Sequence, residues 1–232
     1  KADLCTSNND AECVTRILYR PFDLRWIWYS GRTRGFVGTP GFPVMQHMLG
    51  PGRLGLMYMR QVAVEDEYTH VFVSAWLADN RVFYSNKGIM SLSPLWVRAG
   101  KGELLSGTDR AGILPSALAQ LGFASSASEH NERNTSRDVL NAAFSYVYAQ
   151  LHSPMYRQRY GRLLRIQYPR VFAARTPELR DHLAHLGAEL VAMHLLNPDA
   201  TMCMRHQGSA ANRHNLPIVA FEDDNDREVR KV

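Results

Sequence analysis

Cysteine, lysine and long apolar runs are scarce in this chain, and carboxylates are nearly or wholly missing from two long stretches of it. The 232 residues contain three cysteines, Cys5, Cys13 and Cys203, with no tight pair among them. An odd count at such wide spacing argues against a disulfide framework and predicts a reducing compartment. No apolar run reaches the roughly 18 residues that span a bilayer, and no charged-then-apolar leader opens the chain. The expectation is a cytoplasmic protein without a membrane partner. Lysine supplies only four of the 27 basic residues; arginine supplies 23. That bias fits phosphate and base recognition, and it equally fits the codon usage of a GC-rich genome. The net charge of +5 and pI near 9.2 are modest for a dedicated nucleic-acid binder.

Acid is rare where arginine is densest. Between Cys13 and Val64 seven arginines (16, 20, 25, 32, 34, 53, 60) face one carboxylate, Asp23. The same region holds Tyr19-Arg20-Pro21-Phe22-Asp23-Leu24-Arg25-Trp26-Ile27-Trp28-Tyr29, in which rings and guanidinium groups alternate. Arginine presents a rigid fork of donors to anions and base edges, and aromatic rings add stacking surface. A half-buried strand whose arginines snorkel along an apolar surface has the same composition. The second stretch, Ser153 to Thr176, is acid-free and carries six arginines (157, 159, 162, 165, 170, 175). On a helix, Arg157, Gly161 and Arg165 share one face while Tyr156, Tyr160, Leu163 and Leu164 line another. Such a cationic face either tracks phosphates, with salt-dependent binding, or is simply solvated.

Catalytic and cofactor signatures do not assemble. Gly50-x-Gly52-x-x-Gly55 matches the dinucleotide fingerprint in letters, but Pro51 sits inside it and a strand-like run follows where a helix is needed. Gly100-Lys101-Gly102 lacks the rest of a phosphate loop. His182-x-x-His185, and Cys203-x-x-His206 with His214, fall short of the four ligands that tetrahedral zinc requires. Tyr68 to His70 and His152-Ser153 place hydroxyls near imidazoles, yet no nucleophile elbow surrounds any of these serines. No carboxylate pair stands out for acid–base work. On its own residues the chain reads as a binding module with no cofactor and no metal. A small hydrolase with a site assembled from distant residues would require a deep pocket with a strongly shifted titratable group, and nothing local supports one.

The period of the hydrophobic pattern changes along the chain. From Val14 to Val97 short β-branched and aromatic runs (26–29, 54–59, 71–73, 82–84) alternate with Gly, Pro, Asp and Asn. Asp79-Asn80 reads as a hairpin turn between two of them, and a short helix fits Val44 to Leu49. Residues 99–112 read as a Gly- and Ser-rich connector, and Ser125 to Ser136 as a polar loop. Then Val139, Leu140, Ala143, Phe144, Val147, Tyr148 and Leu151 recur at helical spacing, with Ser136 as the cap. Ser153-Pro154 ends that helix and opens another; Thr176-Pro177-Glu178 repeats the device. Leu179, Leu183, Leu186, Leu190 and Met193 follow at 4, 3, 4, 3, a seam expected to pack on a partner helix. Asn197-Pro198 stops it. The expected division is a lead-in over 1–13, one domain over 14–200 and a C-terminal extension over 201–232 that reads as truncated.

Several segments together resemble Type ISP restriction–modification enzymes. Tyr19-Arg20-Pro21-Phe22-Asp23, Arg25-Trp26 and Tyr29 resemble the segment that follows the methyltransferase module there. Leu56 to Gln61 resembles a strand ending in Arg-Gln. Val71-Phe72-Val73, Phe83 to Ile89 (with Ser85-Asn86-Lys87-Gly88) and Pro94-Leu95 resemble the next stretch. Tyr146 to Ala149, Leu151-His152-Ser153-Pro154, Tyr156-Arg157, Arg159-Tyr160 and Pro169-Arg170 resemble the helical pair. Leu186 to Leu190 and His194-Leu195-Leu196 complete a similarity over about residues 14–196.

The resemblance implies a bacterial target recognition domain for double-stranded DNA. It would be partnered by an N6-adenine methyltransferase and by helicase-like and nuclease modules outside this chain. S-adenosylmethionine, ATP and Mg would belong to those modules. The chain has no Asn-Pro-Pro-Tyr-type motif, no S-adenosylmethionine loop and no motor motif, so it is not itself expected to be an enzyme. The fold expected is α+β: a mixed or antiparallel sheet from the first half packed against two or three helices from the second. Arg32, Arg34, Arg60, Gln61, Asn86 and Lys87 are the candidates for base readout, with Arg157, Arg162 and Arg165 positioning phosphates. Phe22, Trp26 and Trp28 are expected to be core or domain-interface anchors. Arg20 and Asp23 are expected to pair with each other or to dock the methyltransferase. The alternative is an interaction module of a phage-defence complex that never reads bases.

Overall fold

The computed structural model describes residues 13–34, 37–63, 67–83, 87–99, 109–123 and 136–197. The lead-in over 1–12, most of the polar loop from Ser125, the extension over 201–232 and the Cys203/His206/His214 set lie outside the described residues. The fold is α+β, with strands early and the long helices late.

β1 (Val14–Arg20) and β2 (Asp23–Trp28) form an antiparallel hairpin, and β5 (Leu77–Ala78) joins β1 in parallel. A second, antiparallel sheet has β3 (Gly55–Met59) between β4 (Val71–Ser74) and β6 (Met90–Pro94). β7 (Trp96–Arg98) pairs with β8 (Asp109–Ala111). The single sheet expected from sequence is therefore three small ones. Residues 109–111, expected to be connector, are strand; Gly112 explains the tight exit, since a Cβ there would sit 2.0 Å from the Pro94 carbonyl oxygen.

The Asp79-Asn80 turn exists, but it does not join two strands. Asp79 accepts a hydrogen bond from the Arg81 amide at 2.7 Å and its carbonyl accepts from Val82 at 3.1 Å. Val82 and Phe83 then run as buried loop, not strand. Their apolar side chains satisfy the core without ladder bonds, which is why composition alone reads them as β. Between the sheets, α1 (Phe42–Met45) and a 3-10 turn (Gln46–Met48) occupy the place of the expected short helix. β3 starts at Gly55, so the Gly50/Gly52/Gly55 run does lead into a strand.

A short α2 (Pro115–Gln120) precedes three long helices, α3 (Arg137–His152), α4 (Pro154–Leu164) and α5 (Pro177–His194). Each long helix starts on a side-chain cap: Ser136 accepts from the Asp138 amide, Ser153 from Tyr156 and Thr176 from Leu179, at 3.3–3.4 Å. Pro154 and Pro177 sit in the first turn, where a missing N–H costs nothing. α3 is the central helix: Leu140, Ala143, Phe144, Tyr148 and Leu151 share one buried cluster with Met57, Met59, Val71, Phe72 and Val73 of the second sheet.

Only part of the leucine seam of α5 packs: Leu190 lies against the core and Leu183 and Met193 are half-buried. Ala184, Gly187 and Val191 are the buried residues of the helix, whereas Leu179 and Leu186 are 45% and 44% exposed. A Cβ on Gly187 would lie 1.9 Å from the Ser145 carbonyl oxygen of α3. The two helices are in backbone contact there, a spacing that leucines would prevent. Among the described residues no helix is long and apolar enough to cross a membrane.

Candidate nucleic-acid interface

Most of the predicted cations gather where β3 ends and α4 passes. The Val62 amide donates to the Arg165 carbonyl at 3.2 Å, tying the exit of β3 to the C-terminus of α4. Arg60 lies 5.7 Å from the centre of the Tyr168 ring. Around them Arg60, Gln167, Tyr168 and Arg170 line a cavity of about 410 Å³. Gln61 is exposed beside them, and a Cβ on Gly88 would lie 3.9 Å from the Gln61 carbonyl oxygen. The Lys87-Gly88 segment therefore runs along the end of β3, with Lys87 exposed. Asn86 lies outside the described residues.

On the other side of α4 a cleft of about 500 Å³ is lined by Glu67, Tyr68, Thr69, His152 and one face of the helix, including Arg157, Gly161, Arg162 and Arg165. The periodicity of the acid-free run built this face. Its apolar half points inward at Tyr156 and Leu164, which are buried, while Leu163 is exposed. Arg162 is exposed. Arg157 is not a surface cation: its Nε donates to the Leu151 carbonyl at 2.8 Å. Its Nη2 is buried with no hydrogen-bond partner. Burial pulls its pKa below the usual arginine value.

A second concavity, about 490 Å³, meets the first at Thr69, His152 and Arg157 and is walled by Arg20, His70, Phe72, Phe83 and His194. Burial disfavours the charged form of two of its histidines, His152 and His194. Burial, as the largest cause, pushes His152 down to about 4, and its Nδ1–H donates to the Tyr148 carbonyl at 3.0 Å. His194 is also lowered by burial; it stacks on Phe72 at 4.9 Å and its Nδ1 lies 2.5 Å from the Tyr148 hydroxyl. Positive charge at this junction therefore rests on arginine.

Gly161 stands in the last turn of α4, and nothing lies within 4 Å of where its Cβ would be. A helical glycine costs about 0.5–1 kcal/mol relative to alanine, and no packing requirement explains it.

Arg32 and Arg34 sit apart, on the loop between β2 and α1. The Arg32 amide donates to Ser30 Oγ at 3.3 Å and the Arg34 amide to the Gly38 carbonyl at 3.2 Å. That loop is pinned by Tyr29, whose hydroxyl donates to the Pro40 carbonyl at 2.6 Å and whose pKa burial raises to about 12.

The hairpin arginines are paired differently from expectation. Asp23 binds Arg25 at 2.7 Å, which lowers the Asp23 pKa, while Arg20 faces Asp79 at 3.8 Å. Arg20 and Arg25 lie 4.0 and 3.9 Å from the Tyr19 ring centre. Trp26 is 67% exposed beneath Arg16, so it is no core anchor. His182 and His185 are exposed on α5, and His185 faces Glu189 at 3.5 Å. Among the described residues no cluster of His, Cys, Asp and Glu has the shape of a metal site.

Tyr168, Arg170 and Thr69 line these concavities and were not among the candidates named from sequence. Tyr168 and Arg170 carry a visible signal, since both fall in the acid-free run; Thr69 carries none.

The family model for the Type ISP C-terminal specificity domain matches residues 1–232 of the chain. The chain belongs to that family. A Type ISP specificity domain is the non-catalytic, target-recognising part of its enzyme. No curated protein matches the chain in sequence. Among solved structures, DrdV in a DNA complex, determined by cryo-EM, is 22% identical with a TM-score of 0.58, over 84% of this chain and 19% of the DrdV chain. A nuclease-deletion mutant of the Type ISP restriction–modification enzyme LlaGI, in complex with a DNA substrate mimic, is 19% identical with a TM-score of 0.53. That match covers 79% of this chain and 14% of the LlaGI chain. At these identities the two likenesses establish the fold. The specificity domain spans about a fifth of the one chain and a seventh of the other.

Proposed function

We propose that this specificity domain reads a short, asymmetric duplex DNA sequence in the major groove and presents it to a methyltransferase module of a larger bacterial restriction–modification polypeptide. Helicase-like and nuclease modules would complete that polypeptide, and S-adenosylmethionine, ATP and Mg would act there. The observation that carries the reading is the joining of β3 to α4, which sets the donors Arg60, Gln61 and Lys87 beside the acid-poor arginine face of α4. Arg60 and Gln61 have the forked donor and donor–acceptor patterns that suit guanine and adenine edges. Arg162 and Arg165 suit phosphates, which fix register without reading sequence. Arg32 and Arg34, on their separate loop, would reach a different part of the duplex.

The test is selection of bound DNA from a random duplex pool at several salt concentrations, followed by sequencing. One enriched motif, with affinity falling as salt rises, is the expected result. Binding without enrichment would reduce the domain to a phosphate-tracking surface. Absence of binding at low salt would favour an interaction module instead.

A further inference from the structure

We propose that the cleft over Gly161 is a seat for one phosphodiester of the DNA backbone, with the bare helix surface as its floor and Arg157, Arg162 and Arg165 as its walls. This deepens the DNA-reading assignment and rests on it. Three independent features point to a ligand that the protein itself does not supply. Gly161 stands where a side chain would meet nothing in the protein, so the helix backbone is open to the cleft there; glycine is the residue that lets another group approach a backbone closely. Arg157 holds a buried Nη2 with no partner, and a buried guanidinium nitrogen left unpaired is unfavourable until an acceptor arrives. The lining carries three arginines against one carboxylate, Glu67, so an anion enters with net attraction. His152 is neutral at physiological pH, so the positive charge of the cleft rests on the arginines. Arginine's planar fork matches two phosphate oxygens at once. Thr69, exposed where the two concavities meet, stands at the lip.

The test uses the full 232-residue chain and a duplex carrying the selected motif, titrated at several salt concentrations. Gly161→Ala fills the floor with one methyl, and Gly161→Leu fills the cleft. Alanine should raise the melting temperature, because it is the better helix former, while weakening DNA binding several-fold. Leucine should weaken binding at least tenfold and make the salt slope shallower by about one, the signature of a single lost phosphate. Glu67→Gln should tighten binding several-fold. Stability rising while affinity falls is a pattern that a merely structural glycine does not produce.

Wild-type affinity and slope in both Gly161 variants would overturn the seat while leaving the DNA reading in place. Failure of the wild-type chain to bind any duplex would overturn both. ATP and inorganic phosphate serve as control ligands. A thermal shift with either that Gly161→Leu abolishes, with duplex binding unchanged, would assign the cleft to a free phosphate and overturn the backbone assignment.

Discussion

Two side chains show how individual residues are fixed by competing demands. Phe22 closes the β1–β2 hairpin at φ 65°, a conformation that suits glycine and costs a side-chain-bearing residue roughly 1–2 kcal/mol. Its ring contacts Phe72 at 5.1 Å and His194 at 5.9 Å, which offsets that strain and ties the hairpin tip to β4 and α5. Phe22→Ala keeps the strain and loses the rings, so it should lower stability by about 1–2 kcal/mol. Phe22→Gly removes one more carbon yet relieves the backbone, and should be the more stable of the two in urea denaturation; the opposite order would show that the left-handed backbone at this turn is not strained. His152 makes a prediction in pH. Its folded-state pKa of about 4 lies below the ordinary histidine value of 6.5, so the unfolded chain takes up a proton first. Stability is fully present above about pH 6.5 and is lost as pH falls towards 4. His194, also lowered, acts in the same direction, whereas Asp23 acts only below its ordinary value of 3.8. His152→Gln should reduce the drop in melting temperature between pH 7 and pH 5 without abolishing it.

Elements were more legible than their packing. Helix limits could be read because Ser136, Ser153 and Thr176 are hydroxyl caps, the last two followed at once by a first-turn proline, a purely local signal. The buried face of α3 followed from its period for the same reason. On α5 the strongest period, the leucine seam, was misleading in part. Leucine spacing reports amphipathicity, whereas the α3–α5 contact is decided by how near two backbones come, and that depends on the small residues Ala184 and Gly187. The sequence marker was present in Gly187, but only the fold reveals which helix it approaches. Gly187→Ala puts a methyl 1.9 Å from the Ser145 carbonyl oxygen and 3.1 Å from the Ala149 Cβ. The helices must separate, with a loss of about 1–3 kcal/mol typical of overpacking. Alanine's better helix propensity works against that loss and is smaller. Equal midpoints for Gly187→Ala and wild type in a chemical denaturation series would contradict the close-contact account.

At the scale of the whole molecule the α+β class was legible from the change of period near residue 136, but the division into three sheets was not. Strand partners are fixed by long-range pairing, such as β1 with β5 and β3 with β6, and no local pattern encodes a partner. The same limit applied to the site. Arg60, Gln61 and the arginines of α4 were all visible in sequence, yet their adjacency depends on Val62 bonding to Arg165 across about a hundred residues of chain. On the proposed DNA reading, that adjacency would divide the cations into two sets. Arg162 and Arg165, on the cleft face of α4, should neutralise phosphates. They share one phosphate seat, so replacing both with alanine should flatten the dependence of log affinity on log salt by about one. The selected DNA motif should remain the same, because phosphates carry no sequence information. Arg60→Ala and Gln61→Ala lie at the strand end. Each should relax the motif at one or two positions, at about 1–3 kcal/mol per lost base contact, with little change in salt slope beyond the charge removed with Arg60. Motif loss in the helix variants, or an intact motif in both strand-end variants, would mean that bases are read elsewhere. The loop bearing Arg32 and Arg34 would then be the next place to look.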